Sequence, residues 1–399
     1  MYEIISELIS VDLPGLFRSD GTIGGLIRNG TLILSNGEYM ANTTIIITGG
    51  GSLVVGPNAN ITFAPDRGIL VSSSGKFSVD GPSLLDSSNP PESWVGILLK
   101  NSNETYIRDA MIRNVENGVK SSSTGALVMI NSTILNAKYG VRSNYASNIT
   151  LIDNVFEGNY RAVYIDRANY ATIEKNKMTC KYQCLYLYSY YSSVSVNDNI
   201  IGGANDVSSS AQHLVYLISY MSQNDYLSLQ DNSFGNWQTR PNYDALYVDI
   251  RQYSGGTGTV GLSNNRFYNI SARHVFNLYF RSSETHVNVA NLFESNLEAL
   301  DSIYPSIFHI GDWPESCGDD PCSLVGNIFN YSLPPGQQHI AVPVSVEKVT
   351  SIDAELSYWG ADDESSVIQS MFDGRDGTGL TTINYLPFLL TPDPTGDRR

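Results

Sequence analysis

The sequence predicts an all-β protein, a right-handed parallel β-helix in which about ten or more rungs stack as a solenoid. Two observations carry this prediction. A short phrase recurs along the chain at a nearly constant interval, and a second segment in each interval alternates between apolar and polar residues. The composition agrees, because 34 Gly and 25 Tyr accompany only 16% charged residues. Such a mixture of turn-forming and strand-forming residues is typical of a β-rich chain with many tight corners.

The recurring phrase is an apolar strand, then Asn or Asp, one variable residue and a large apolar residue. Successive phrases are 22, 23, 22 and 23 residues apart at first, and later 33, 33, 26 and 36. The shorter period fits one coil of three short parallel strands, stacked about 4.8 Å above the coil below. We expect each Asn to adopt the left-handed conformation at a tight corner and its amide to bond the Asn above and below. The phrases begin at Asp109, Asn131, Asn154, Asn176, Asn199, Asn232, Asn265, Asn291 and Asn327.

A second strand in each rung allows the rungs to be aligned. Its first and third residues are apolar and face inward, so the residue between them faces outward. The predicted outward column is Lys120, Arg142, Tyr164, Tyr186, Tyr216, Tyr247, Asn277 and His309. Two residues further on, a second column contains Ser122, Asn144, Asp166, Tyr188, Ile218, Asp249, Tyr279 and Gly311. A third column contains Tyr190, Tyr220, Arg251, Arg281 and Trp313.

The whole chain, residues 1–399, is predicted to form one β-helix domain. Opening rungs are expected over residues 30–100, and regular rungs with loop insertions over 101–352. From Asp353 the repeat gives way to a segment with a helical pattern and a final strand, which predicts a C-terminal cap over 353–390. Such a cap protects the open edge of the last strands. Residues 391–399 are predicted to be a flexible tail.

The charge and hydropathy of the chain argue against several classes of partner. A net charge of −16, without a cluster of Lys and Arg, argues against nucleic acid. No run of 18 apolar residues is present, so we expect no direct contact of this fragment with a membrane. Met1–Ser10 lacks the basic and apolar regions of a signal peptide, so we expect a fragment of a secreted or cell-surface protein. The expected partner is an extracellular protein or a glycan.

Four cysteines form two pairs that are close in sequence. Cys180 precedes Cys184 and Cys317 precedes Cys322, with no histidines at zinc-ligand spacing. We therefore expect two short-range disulfides, an oxidising compartment, and no metal or other cofactor. N-x-S/T sequons, whose number is close to chance, occur at Asn29, Asn42, Asn60, Asn103, Asn131, Asn148, Asn269 and Asn330. They are compatible with an extracellular glycoprotein.

The two ends of the chain resemble a known family. The phrases Gly51-Ser-Leu-Val-Val and Trp94-Val-Gly-Ile97 resemble the entry of pectin-lyase-like extracellular β-helix domains, and Tyr358-Trp-Gly360 with Phe372-Asp-Gly374 resembles their exit. The combination is most similar to the extracellular β-helix modules of the bark beetle (Anakonda) family of animal junction proteins. The similarity in architecture extends over nearly the whole chain, but the specific sequence motifs lie only at its two ends. It implies a non-catalytic module for cell adhesion or junction organisation, with membrane attachment outside this chain.

The outward tyrosines predict a recognition surface. Tyrosines that stack from rung to rung pack on one another, and the same flat, amphipathic surface suits a glycan or a protein. The structural and the recognition interpretations therefore both stay open for these side chains. The predicted ligand-binding residues are Tyr164, Tyr186, Tyr188, Tyr216, Tyr247 and Tyr279.

The alternative function is that of a polysaccharide lyase acting on the same face. Hydrolysis is disfavoured, because Asp166 and Asp249 are expected three rungs apart, about 14 Å, whereas the two carboxylates of a glycosidase lie roughly 5–10 Å apart. A lyase needs a base and a cation that neutralises the sugar carboxylate. The residues that adjacent rungs could bring together for this purpose are Asp249, Arg251, Arg281 and His309. Salt bridges on a solvated strand face would explain the same residues without catalysis.

Overall fold

The structure is a computed structural model that describes residues 21–100, 102, 104–122, 125–145, 148–190, 193–204, 206–208, 210–222, 225–252, 258–281, 285–294, 297–300, 306–312, 324, 327–330, 337–341, 351–354, 357–361, 363–373 and 382–390. The chain folds as two compact units, Met1–Met178 and Thr179–Arg399. The predicted boundaries of opening rungs, regular rungs and cap stay predictions.

The first unit is built from strands. They are β1 (Thr22–Arg28), β2 (Thr31–Leu34), β3 (Gly37–Thr48), β4 (Ser52–Val55), β5 (Ala59–Phe63), β6 (Gly68–Ser72), β7 (Lys76–Ser87), β8 (Trp94–Lys100), β9 (Thr105–Ser121), β10 (Leu127–Ile130), β11 (Thr133–Asn144), β12 (Asn148–Ile152), β13 (Val155–Asp166) and β14 (Tyr170–Glu174).

The described residues of the second unit contain strands and one short helix. The elements are β15 (Lys177–Tyr190), β16 (Ser193–Asn197), β17 (Ile200–Gly203), β18 (Val215–Met221), β19 (Tyr226–Gln230), β20 (Ser233–Gln238), β21 (Leu246–Gln252), β22 (Gly258–Ala272), β23 (Phe276–Arg281), β24 (Thr285–Glu294), β25 (Leu297–Ala299), β26 (Ser306–Asp312), β27 (Ile328–Asn330), β28 (Gln338–Ala341), β29 (Ser351–Asp353), α1 (Glu364–Gln369), β30 (Met371–Phe372) and β31 (Thr382–Asn384).

Within each unit a rung runs through three strand positions, which we name A, B and C in chain order. Each strand pairs in parallel with the strand at the same position of the next rung. In the first unit β10 and β12 lie in sheet A, the starts of β11 and β13 in sheet B, and their ends in sheet C. In the second unit β16 and β19 lie in sheet A, β17 and β20 in sheet B, and β18, β21, β23 and β26 in sheet C. The predicted all-β, parallel architecture is confirmed.

The pairing of sheet C confirms the predicted alignment of the first column, although its last two members, Asn277 and His309, are buried at 1% and 5% exposed. In the first unit the register aligns Lys120, Arg142 and Tyr164. In the second unit it aligns Tyr186, Tyr216, Tyr247, Asn277 and His309. The second column is wrong at its last member, because a register shift pairs Tyr279 with Asp312 instead of Gly311.

Asparagine amides connect successive rungs at the corner between sheets A and B. In the second unit this asparagine ladder consists of Asn199, Asn232, Asn265, Asn291 and Asn327. Asn232 Oδ1 accepts hydrogen bonds from the backbone N and the Nδ2 of Asn199, at 2.9 and 3.0 Å. In the first unit Asn176 Oδ1 receives the same pair from Asn154, at 2.9 and 3.1 Å. The predicted bonding between stacked amides is confirmed.

The ladder corrects two details of the repeat. At the first two phrases the ladder positions are Ala110 and Ser132, since the backbone N of Ala110 donates to Ser132 Oγ at 3.1 Å. The left-handed conformation predicted for the phrase residues is found at Asp109 and Asn131 but is wrong for the ladder asparagines, because the residue before each of them adopts it instead. These preceding residues are Asp109, Asn131, Asp153, Lys175, Asp198, Asp231 and Asn264, with φ between 46° and 59°.

The inward positions form an apolar core that becomes aromatic in the second unit. Phe293 stacks between Phe267 and Phe329, with 4.9 Å between ring centroids on both sides. Phe276 and Phe308 stack beside them at 4.7 Å. Each of these rings is fully buried, and burial of one such side chain contributes about 1.5–3 kcal/mol. Rung-to-rung stacking therefore stabilises the inside of this unit as the amides stabilise its corner.

After the last regular rung the second unit contains the helix α1. Asp363 caps it, because its side chain accepts a hydrogen bond from the backbone N of Ser366 at 2.9 Å. Trp359 is buried and stacks on Phe329 at 5.1 Å. Both features lie in the segment for which a C-terminal cap was predicted from sequence, and the cap itself stays a prediction.

The disulfide prediction is confirmed for one of the two pairs. Cys180 and Cys184 are bonded within β15, with 5.4 Å between their Cα atoms. Cys317, Cys322 and Trp313 lie outside the described residues. Among the described residues, no helix has the length and apolar character needed to cross a membrane.

Candidate functional site

Three tyrosines stack on the outward face of sheet C in the second unit, and we call them the tyrosine stack: Tyr186, Tyr216 and Tyr247. Their ring centroids are 5.3 and 5.0 Å apart, and their planes differ by 13° and 10°. The register places the three residues at equivalent positions of β15, β18 and β21. Each side chain is partly exposed. The repeat of apolar residues on either side of each Tyr therefore aligns the rings on the surface.

Other predicted tyrosines flank this stack. Tyr188 lies 5.5 Å from Tyr220, with the rings tilted by 49°. Tyr279 lies 5.6 Å from Tyr247, tilted by 40°. The aromatic surface is therefore regular over three rungs and irregular at its margins.

His213 covers one side of the tyrosine stack. Its ring centroid lies 5.1 Å from that of Tyr216, 5.5 Å from that of Tyr247 and 5.3 Å from that of Tyr243, whose ring is perpendicular to it. Its Nδ1 donates to the carbonyl oxygen of Asp244 at 2.8 Å, because a carbonyl can only accept. Burial lowers the pKa of His213 to about 4. The imidazole is therefore neutral at neutral pH and acts as one more aromatic ring of this surface.

The hydroxyl of Tyr216 stays protonated. Burial raises its pKa above the ordinary value of 10.0, and the charge of Asp249 raises it further. A neutral phenol can donate and accept hydrogen bonds. The ring edge of Tyr216 therefore offers a ligand a hydrogen-bonding group and no charge.

The predicted residues Asp249 and Arg251 come together in an ion pair. Arg251 Nη2 and Nε lie 2.6 and 3.1 Å from Asp249 Oδ2, and Arg251 Nη1 donates to the hydroxyl of Tyr220 at 2.5 Å. The hydrogen bond to Asp249 raises the pKa of Arg251, which stays charged. Asp249 is 0% exposed although it faces outward, whereas the Arg251 side chain is 33% exposed. The carboxylate is thus enclosed, and only the guanidinium meets solvent.

We predict that Asp249→Asn lowers the free energy of unfolding by about 2 kcal/mol, because Arg251 loses the charged acceptor of its hydrogen bonds at an enclosed position. Urea unfolding at pH 7.5 measures this change. A matched control is Asp206→Asn, since Asp206 pairs with Lys181 at 2.6 Å on the surface. The control variant should unfold at the wild-type urea midpoint. Equal shifts in the two variants would contradict a special role for the enclosed pair.

The other two residues of the predicted catalytic set, His309 and Arg281, are not seen in contact with this ion pair among the described side chains. His309 is 5% exposed, and its ring stacks on His274 with 4.2 Å between centroids. The backbone of Arg281 pairs with that of Arg251 on the adjacent rung, and its side chain lies outside the described part of the structure. The structure thus brings Asp249 and Arg251 into contact and encloses His309 in a separate aromatic pair.

Tyr164 lies in the first unit, among two arginines and another tyrosine. Arg142 and Arg161 lie 5.9 and 5.4 Å from the centre of its ring. Its surroundings are therefore cationic, whereas the tyrosines of the stack pack on one another, with His213 beside Tyr216 and Tyr247.

Sequence reasoning missed several residues of this surface. His213, Tyr243 and Asp244 lie in the extra residues that lengthen two rungs, where no periodic pattern indicates which side chain turns back onto the sheet. Tyr220 was placed in the third column, but its contact with Arg251 depends on side-chain conformation. The signal that could have located the covering loops is the rung length of 33 residues at these two corners.

No group of three or more His, Cys, Asp or Glu side chains is placed to hold a metal ion, as far as the described residues go. The sulfur atoms of Cys180 and Cys184 are joined to each other.

Comparison with known proteins finds one family. The model of the family described as periplasmic copper-binding protein (NosD) matches residues 23–242. The searches of curated proteins and of solved structures found no match. The matched segment exceeds half of the chain, and its parallel strands fit the fold of that family. The chain belongs to the NosD family, a family of right-handed parallel β-helices.

Proposed function

We propose that this chain is a non-catalytic module that acts outside the cytoplasm in adhesion or surface recognition. The description of its family names a periplasmic protein, and the disulfide of β15 suits an oxidising compartment. The observation that carries the proposal is the tyrosine stack, which forms an ordered and partly exposed aromatic surface.

The geometry of the stack favours binding through ring edges. Both faces of Tyr216 are covered, by Tyr186 on one side and Tyr247 on the other. A sugar ring that stacks on an aromatic side chain needs a free face. The edges and hydroxyls remain available, and their conformations are already restricted by packing, which lowers the entropic cost of binding. A protein surface that accepts a row of hydroxyls fits this arrangement better than a stacked glycan.

The resemblance to the junction modules of the bark beetle family supports the adhesive form of this proposal. It rests on the phrases at the two ends of the chain, such as Trp94-Val-Gly-Ile97. Under this proposal the partner is an extracellular protein or glycan, and the predicted tyrosines are the ligand-binding residues.

Copper binding is not part of the proposal. The family description names copper, but the described residues hold no group of three suitable ligands. The side chains of Cys180 and Cys184 are consumed by their disulfide. The described residues thus offer no group of His, Cys, Asp or Glu side chains that fits copper.

A bead-clustering assay and a glycan panel test the proposal. Beads coated with the chain report adhesion to a second copy, and immobilised neutral and uronic-acid oligosaccharides report glycan binding. We expect binding in one of these assays, weakened about tenfold by Tyr216→Ala with Tyr247→Ala, because aromatic anchors carry much of an interface's energy. Tyr226→Ala with Tyr170→Ala is the control, since these two tyrosines are 46% and 57% exposed outside the stack. Absence of binding in both assays, or equal loss in the control, would contradict the proposal.

The lyase alternative is tested on the same polysaccharides by ultraviolet detection of unsaturated product. Its predicted site has an enclosed carboxylate, Asp249, which a polymer cannot reach without displacing Arg251. We expect no product. Turnover that disappears in Arg251→Ala would establish the enzyme and overturn the non-catalytic function.

A further inference from the structure

A cluster of two arginines and two tyrosines lies on the outward face of the first unit, and we call it the Arg–Tyr cluster: Tyr139, Arg142, Arg161 and Tyr164. The register of β11 and β13 pairs Tyr139 with Arg161 and Arg142 with Tyr164. Each arginine therefore has a tyrosine beside it on the next rung and another on its own strand. Arginine and tyrosine therefore alternate both along each strand and between the two rungs.

Each arginine of the Arg–Tyr cluster contacts both tyrosine rings. The Arg142 guanidinium lies 4.8 Å from the centre of Tyr139 and 5.9 Å from that of Tyr164. The corresponding distances for Arg161 are 5.7 and 5.4 Å. The two rings meet edge to face at 6.1 Å. Cation–π contacts of this kind hold the guanidinium planes in place before any ligand arrives.

A glycine allows the two strands to approach closely enough for this arrangement. A Cβ atom on Gly140 would lie 2.5 Å from the carbonyl oxygen of Ala162 and 2.8 Å from the ring of Phe156. Gly140 lies between Tyr139 and Val141, at the bend where β11 enters sheet C. The backbone therefore fixes the position of the cluster.

The cluster is a positive surface on an acidic protein. The chain carries a net charge of −16, yet Lys120 lies beside Arg142 in the register of sheet C. The carboxylates of Glu116 and Asp166 pair with Lys138 and Arg167. Arg142 takes part in no ion pair among the described residues, and its Nε is buried there without a hydrogen bond. The terminal N–H groups of Arg142 thus retain capacity to bind an anion.

We propose that the Arg–Tyr cluster binds carboxylate groups of an acidic segment of a partner protein. A guanidinium fixed against a ring still presents its N–H edge, which matches a carboxylate in bidentate geometry. Tyr and Arg are also the residues that dominate binding energy at protein interfaces. Arg142 lies over the ring of Tyr139 and Arg161 over that of Tyr164, which reduces the ring surface on which a sugar could stack. Charge complementarity and ring geometry together favour an acidic peptide over a glycan.

The test measures binding of a fluorescent decaglutamate peptide to the full chain by fluorescence anisotropy. We expect binding that weakens as salt is raised, and no binding of a decaglutamine peptide. Arg142→Gln with Arg161→Gln should weaken binding at least about tenfold, because charge-assisted hydrogen bonds are lost. Arg142→Lys with Arg161→Lys keeps the charge but loses the planar fork, and should weaken binding by a smaller factor of about three. Circular dichroism confirms that each variant is folded.

A matched control separates the cluster from general electrostatics. Lys76→Gln with Lys177→Gln removes two exposed positive charges elsewhere in the first unit, and should leave the affinity within about twofold. Equal weakening in the control and in the arginine variant would overturn the proposal. So would absence of decaglutamate binding, or tighter binding of polygalacturonate or heparin that depends on the same arginines. None of these results depends on the tyrosine stack of the second unit.

Discussion

Asn232→Ala is expected to lower the free energy of unfolding by about 4 kcal/mol. The Asn232 amide donates to the carbonyl of Val196 at 2.7 Å and to Asn265 Oδ1 at 2.9 Å, and it accepts two hydrogen bonds from Asn199. The residue is 1% exposed. Its removal takes these hydrogen bonds from buried groups on the two adjacent rungs, at about 1–3 kcal/mol for each group left unpaired. Urea unfolding followed by circular dichroism measures the change.

Two further variants make this prediction specific. Asn232→Ser should recover part of the loss, because Ser132 and Ser357 occupy ladder positions elsewhere and accept a backbone N–H through Oγ. Asn242→Ala changes an exposed turn residue and should leave the urea midpoint unchanged. A loss below about 1 kcal/mol in Asn232→Ala would show that water replaces the amide and that the ladder contributes little.

Acidification from pH 8 to pH 4 is expected to destabilise the protein by about 3 kcal/mol through each of two histidines. Burial lowers the pKa of His213 to about 4 and that of His339 to about 3. The unfolded chain, with an ordinary pKa near 6.5, therefore binds more protons than the folded chain below that pH. The stabilisation that the two neutral imidazoles contribute is fully present above pH 6.5. It is lost as the pH falls towards the pKa values of the two histidines in the folded protein.

Urea midpoints measured between pH 8 and pH 4 test this dependence. Carboxylates also titrate in this range, so the comparison is with His213→Gln and His339→Gln. Between pH 8 and pH 4, the free energy of unfolding of each variant should fall by about 3 kcal/mol less than that of the wild-type protein. Slopes equal to that of the wild-type protein would show that the two rings remain hydrated in the folded state.

The sequence was sufficient for the sheet register up to the shift that pairs Tyr279 with Asp312, and insufficient for the corners. Apolar residues before and after Tyr216 and Tyr247 specify which face is buried, and a shift by one residue would expose them. At the corners, Asn and Asp suit both the ladder and the left-handed conformation. Asp109 and Asn131 were therefore assigned to the ladder, whereas the structure places them before it.

The candidate site was predictable only where it follows the repeat. The tyrosine stack follows from strand alternation, which fixes side-chain direction. The enclosure of Asp249 does not, because it depends on how the Arg251 side chain folds back over its own strand. His213 reaches the surface from a rung extension, and side chains in such extensions follow no period.

The asparagine ladder also keeps the strands of successive rungs aligned even where the rungs differ in length. Asn154 and Asn176 are 22 residues apart and Asn199 and Asn232 are 33 apart, yet their amides meet at 3.1 and 3.0 Å. The additional residues after β17 form a connection that ends beside the tyrosine stack with His213. Loops of other length and sequence could therefore be exchanged at this corner without disturbing the core. The stacked strands can thus stay the same while the surface loop of each rung changes independently of the others.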